Sequence, residues 1–159
     1  MNGRPHPALL PATLLASLLA SLTAPPAARA AEPAALRLWH AGTVAANMGQ
    51  CAVVLSVDGQ GQQVSGLRLR LAAVDGGGSV QARGEARFAD FGASHAERYQ
   101  DASWAAEALC DEGLTLRIEQ AHARIDGQRA DLLAQRLLQI EDFRPLPIRL
   151  GPPAAKARR

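Results

Sequence analysis

Beyond residue 35 the chain alternates apolar and polar side chains with a period of two, as strands do when one face is buried and the other wet. In the run from Cys51 to Val57, Cys51, Val53, Leu55 and Val57 share one face. In Leu67 to Leu71 three leucines oppose Arg68 and Arg70, and Leu114, Leu116 and Ile118 stand likewise against Thr115 and Arg117. The pattern predicts strands near 36–45, 51–57, 64–74, 79–88, 102–110, 114–125, 128–133 and 136–141. The last two are ambiguous, because the run from Leu132 to Ile140 also fits one side of a helix.

Asp58-Gly59, Asp75-Gly76 and Asp126-Gly127 punctuate the alternation where tight turns need left-handed backbone angles. The third pair predicts a hairpin with a type I′ turn, Ile125 opposite Gln128, Ala123 opposite Ala130 and Ala121 opposite Leu132. The apolar phase moves from even to odd positions between Ile118 and Ala121, which predicts a β-bulge or bend near Glu119 and Gln120. Pro145, Pro147, Pro152 and Pro153 make the C-terminal segment an edge or an extended tail. Short strands at regular spacing point to an all-β sandwich.

Of the 159 residues, the first 30 read as a signal peptide. Arg4 and His6 precede an apolar stretch from Ala8 to Leu22, and Ala28-Arg29-Ala30 offers a small-x-small site for cleavage after Ala30. The stretch is too short for a spanning helix of ~20 residues and contains Pro11, and no cysteine marks a lipoprotein. The reading is an exported protein, periplasmic or extracellular, with a sandwich domain at 31–150, a flexible basic tail at 151–159 and no membrane span in the mature form.

The full chain has a net charge of +2 and a pI near 8.9. Residues 31–150 alone hold 12 basic and 15 acidic side chains, a net charge of minus 3. With no basic stripe visible and no interleaved aromatics, nucleic acid is not expected as a partner. The two cysteines, Cys51 and Cys110, both fall in the exported part, where pairing is the rule. Alternation sets Cys51 with Val53 and Leu55, and Cys110 with Trp104, Ala106 and Ala108, so both thiols are expected to face a core. A redox role is disfavoured, since neither lies in C-x-x-C.

Residues 90–104, DFGASHAERYQDASW, concentrate the polar and aromatic chemistry of the chain. Ser94 and His95 are consecutive and would project to opposite faces of an extended chain, so they make a poor dyad, and no G-x-S-x-G elbow precedes the serine. Ser94 to Glu97 fits an S-x-x-E capping box, predicting a helical turn from His95 to about Gln100 between two strands. The stretch is read first as a connection, then as a binding surface carried by His95, Arg98 and Tyr99, and last as a catalytic site. His40, His95 and His122 lack any spacing that would bring two metal ligands together, so no metal or cofactor is expected. Gly76-Gly77-Gly78 lacks the Lys-Ser/Thr of a phosphate loop and reads as a hairpin loop.

Trp39-His40, the GQC ending at Cys51, VSGLRL from Val64, FGASHAERY from Phe91, the ALC ending at Cys110, Ile125-Asp126-Gly127 and FRPLPI near the end occur in an order that resembles the interleukin receptor mimic protein A (IrmA) family. The resemblance spans about residues 39–148. It implies a small exported bacterial protein with a fibronectin type III or immunoglobulin-like β-sandwich, a structural role for Cys51 and Cys110, and no known catalytic activity. It also implies cytokine recognition for the namesake, but no contact residue for that can be matched in this chain. The leading expectation is a non-enzymatic binding module for a protein partner, with homodimerisation through an open strand edge left open. The alternatives are a periplasmic accessory protein, either a chaperone or an inhibitor of an envelope enzyme, and an envelope hydrolase using His95 with Asp90, Glu97 or Asp101.

Overall fold

A computed structural model describes residues 34–141 and 146–152; the expected signal peptide and residues 153–159 of the expected tail lie outside the described residues. The strands are β1 (Leu36–Ala45), β2 (Cys51–Asp58), β3 (Val64–Val74), β4 (Val80–Arg87), β5 (Tyr99–Ala106), β6 (Thr115–Ile125), β7 (Gln128–Asp131), β8 (Leu138–Ile140) and β9 (Ile148–Leu150). The helical segments among the described residues are short 3-10 turns at Asn47–Gly49, His95–Glu97 and Glu107–Cys110.

One sheet has the order β5-β2-β1-β8, and the second has β4-β3-β6-β7 with β9 also on β6. β1 to β7 thus form a sandwich of three strands on four, the fibronectin type III arrangement, in which β4 stays beside β3. β8 and β9 are later additions, each parallel to its neighbour.

The period-two pattern is what closes the sandwich. Leu36, Leu38, Val53, Leu55 and Val57 point inward from the first sheet and meet Leu67, Leu69, Leu71, Leu116 and Ile118 from the second, all essentially without solvent exposure. Burial of such side chains stabilises by about 1.5–3 kcal/mol each. The predicted bulge is present: Arg70 pairs with Gln120 and Leu71 with Ile118, leaving Glu119 as the extra residue. The hairpin has the predicted register, with Ile125 opposite Gln128 and Ala123 opposite Ala130. Asp126 and Gly127 carry φ of 48° and 80°, as a type I′ turn requires.

Three expectations need correction. The strand predicted at 102–110 instead runs from Tyr99 to Ala106, where it pairs with Cys51 at the start of β2. With no further β2 residues to pair with, the chain turns into the 3-10 segment, and Leu109 rather than Cys110 enters the core.

The Cys51–Cys110 disulfide exists, with Cα atoms 5.0 Å apart. It lies at the end of the first sheet rather than beneath Trp104, with Cys51 half-buried and Cys110 exposed. Cys51 thus packs against the edge of the core as expected, and only Cys110 departs from the expected inward position.

The predicted capping box does not form either. Ser94 makes no side-chain cap, and the turn ends at Glu97 because Tyr99 already pairs with Asp58. A single turn gains too few hydrogen bonds to extend against strand pairing.

The C-terminal segment threads both sheets. After β7 the chain crosses to β1 as β8 and returns to β6 as β9. Leu137, Leu146 and Ile148 bury themselves on the way. His40, inward-facing at a β1 bulge, clamps this return: its Nε2–H donates to Gly42 O at 2.7 Å, and Nδ1 accepts the Leu146 N–H at 3.1 Å. Burial lowers its pKa, opposed by the Gly42 bond, so the ring is held neutral.

Candidate functional site

The outward positions of the first sheet bring chemistry together. Since Leu36 and Leu38 face inward, Arg37 and Trp39 face out. Pairing sets Arg37 beside Asp58 and Asp58 beside Tyr99; one row further, Trp39 lies beside Ser56 and Ser56 beside Asp101. Six outward side chains from three strands thus share one patch.

Asp58 is the anchor. Its carboxylate accepts Arg98 Nε at 2.7 Å and Nη2 at 2.6 Å, together with the Gln60 backbone N–H at 2.8 Å and side-chain amide at 2.6 Å. The Arg98 hydrogen bonds lower its pKa against the opposing effect of burial. A carboxylate committed to four donors and held ionised is a poor general base. It is well suited to fixing an arginine.

Arg98 in turn lies 5.3 Å from the Tyr99 ring centroid, and Tyr99 meets Trp39 edge-on at 6.2 Å and 75°. Tyr99 stays 55% exposed. Arg37 pairs with Glu141 at 2.8 Å, and Ser56 Oγ donates to Asp101 at 2.5 Å. Arg37, Trp39, Asp58, Tyr99 and Glu141 line a shallow depression of about 410 Å³. Trp, Tyr and Arg reaching the surface together are the side chains enriched where proteins grip other proteins.

Of the three binding candidates read from the sequence, Arg98 and Tyr99 lie in this patch. His95 is exposed on the 3-10 turn and makes no hydrogen bond or ion pair among the described residues. Asp90 accepts the Gly66 N–H, Asp101 accepts the Ser56 hydroxyl, and Glu97 makes no hydrogen bond or ion pair with His95 among the described residues, so none of the three carboxylates is bonded to the imidazole. The His95 hydrolase reading lacks the base–acid geometry it requires. Among the described residues no group of three or more His, Cys, Asp and Glu side chains could hold a metal ion.

Sequence reasoning missed Trp39, Arg37 and Asp58. For Trp39 and Arg37 the signal was present in β1, where alternation sends both to the polar face, whereas Asp58 at the end of β2 carried none beyond its place in the Asp58-Gly59 turn. The expected absence of a basic stripe is also corrected: β3, β4 and β6 each place two arginines on the outer face of the second sheet, and β7 and β9 one each. No aromatic side chain accompanies them.

No curated protein sequence matches the chain. A solved structure, the structural characterization of IrmA from Escherichia coli, is similar at a TM-score of 0.58 and 24% identity, over 70% of this chain and 95% of that one. At that identity the likeness speaks to the fold. The model of the family described as IrmA, interleukin receptor mimic protein A, matches residues 36–140, and with that span of the sandwich covered the chain belongs to the IrmA family.

Proposed function

We propose that the mature chain is an exported, non-enzymatic binding module that grips a protein partner with the outer face of its first sheet, centred on Tyr99, Trp39 and Arg98. The observation that carries this reading is the chain of contacts from Asp58 through Arg98 and Tyr99 to Trp39, which holds an exposed Tyr against a half-buried Trp on the outer face of the sheet. Such preorganisation reduces the entropy lost on binding, about 0.5–1.5 kcal/mol for each side chain already ordered. The family's description as a receptor mimic supports a protein as the ligand. The disulfide, and the lack among described residues of any helix long and apolar enough to cross a membrane, are compatible with export.

The test is affinity capture and cross-linking from envelope and culture fractions of the native host, with the mature domain as bait beside Tyr99→Ala and Trp39→Ala. A specific protein recovered by the parent and reduced at least tenfold by Tyr99→Ala supports the reading. Equal recovery by both variants refutes it. Fractionation of the native host separates a released binder from a periplasmic accessory protein.

A further inference from the structure

The second sheet turns a different chemistry outward. Cross-strand pairing sets Arg68 directly beside Arg87 on one side and His122 on the other, and sets Arg124 directly beside Arg129. Like charges in facing positions destabilise a sheet. Glu85 answers Arg70 and Arg87, and Glu119 answers Arg83 and Arg117. Arg68, Arg124 and Arg129 have no ion pair among the described residues. All three line a groove of about 790 Å³ over β3, β6 and β7.

The carboxylates of that groove form no ion pair with Arg68, Arg124 or Arg129: Glu85 pairs with Arg70 and Arg87 and acts on Arg68 only at longer range, Asp90 accepts the Gly66 N–H, and Asp131 accepts the N–H groups of Leu133 and Ala134. Glu85 offsets part of the Arg68–Arg87 repulsion, whereas the facing Arg124 and Arg129 are left for an external anion to bridge. Every cation here is arginine, whose planar fork binds tetrahedral oxyanions and carboxylates in pairs of hydrogen bonds.

Neighbouring strands lie about 4.8 Å apart and alternate residues about 6.7 Å apart, so the guanidinium groups form a grid suited to a ligand with closely repeated charges. Ser65, Gln120 and His122 add hydrogen-bonding groups within the same groove. Of the exposed large apolar side chains, Val44, Met48 and Tyr99 belong to the first sheet and its turn, and Leu150, at the end of β9, lies opposite the inward-facing Ile118 and outside the groove, so the groove lacks the apolar anchor on which protein interfaces are centred. It also lacks an aromatic platform for stacking nucleobases.

We infer that the outer face of the second sheet is a binding site for a sulfated polysaccharide, held by Arg68, Arg124 and Arg129. The site is separate from the proposed protein-binding patch and does not depend on it. The test measures binding of the mature protein to heparin across a salt series, beside duplex DNA and polyglutamate of equal charge.

The expected result is tightest binding to heparin, with affinity falling steeply with salt. Arg124→Ala/Arg129→Ala should weaken it at least tenfold, and Arg68→Gln should weaken it alone. Arg136→Ala and Tyr99→Ala should leave it unchanged. The basic tail persists in every variant, so the loss reports the sheet face. Thermal melts of the double variant should be no lower than the parent's, because facing like charges are removed. Unchanged affinity in both arginine variants overturns the inference, as does an equal loss in Arg136→Ala. DNA or polyglutamate bound as tightly as heparin also overturns it, by naming a nucleic acid or an acidic protein as the occupant.

Discussion

Trp104 and Gly84 allow the packing logic to be tested at a single atom. Trp104 points inward from β5, an edge strand of the first sheet, and is 7% exposed. Gly84 occupies the facing edge strand β4, between the inward Ala82 and Ala86, and pairs with the inward Leu71. A Cβ built on Gly84 would lie 2.0 Å from the indole Nε1, 2.4 Å from Cε2 and 2.5 Å from Cδ1. Ordinary contact needs about 3.5 Å, so Gly84→Ala forces the ring or the strand to move by roughly 1.5 Å.

Overpacking of this kind costs about 1–3 kcal/mol, and the strand's preference for Ala over Gly returns about 0.5–1. The expected net loss is about 0.5–2 kcal/mol, rising toward about 3–5 if the indole is expelled and its burial lost. Urea denaturation of Gly84→Ala, Trp104→Leu and the double variant, followed by far-UV circular dichroism, measures it, and the emission of Trp104 is compared with and without Gly84→Ala in a Trp39→Phe background. Gly84→Ala should cost little once Trp104 is Leu, because the clash disappears. If Gly84→Ala stays within about 0.5 kcal/mol of the parent beside an intact Trp104, and the emission is unmoved, the small-for-large account of this edge is wrong.

His40 should make stability depend on pH. Its folded pKa is lowered from 6.5, so the unfolded chain binds the proton more readily, and stability is full above about pH 6.5 and declines as pH falls through the lowered folded value. The limiting slope is about 1.4 kcal/mol per pH unit for one proton, and a urea midpoint series from pH 8 to 5 in the parent and His40→Gln measures it. An identical slope in both proteins removes His40 as the cause. The disulfide closes a separation of 59 residues, so Cys51→Ser/Cys110→Ser should cost about 4 kcal/mol through the freed unfolded chain. An unchanged denaturation midpoint would contradict that account, and the exposed position of Cys110 should make the bond accessible to reductant without prior unfolding.

What the sequence determined by itself is local. Alternation requires only that each strand know its own two faces, so Leu67, Leu69 and Leu71 identify an inward face, and the change of phase before Ala121 identifies the bulge at Glu119. Turn chemistry is equally local, which is why Asp126-Gly127 gave the hairpin and its register.

Which outward residues meet is set by the pairing of strands distant in sequence. Asp58 and Arg98 are 40 residues apart, and only the β2–β5 ladder joins them. The same holds for Arg124 and Arg129 beside the β3 arginines: an acidic domain average concealed a basic face because a sum over residues carries no geometry. Cys110 shows the limit from the other direction, since its period-two assignment failed where β2 ended and no ladder remained to hold the period. The sequence therefore decides which side of its own strand a residue occupies, and only the tertiary pairing decides its neighbours, because contact energies fall off within a few ångströms while the chain brings those neighbours from tens of residues away.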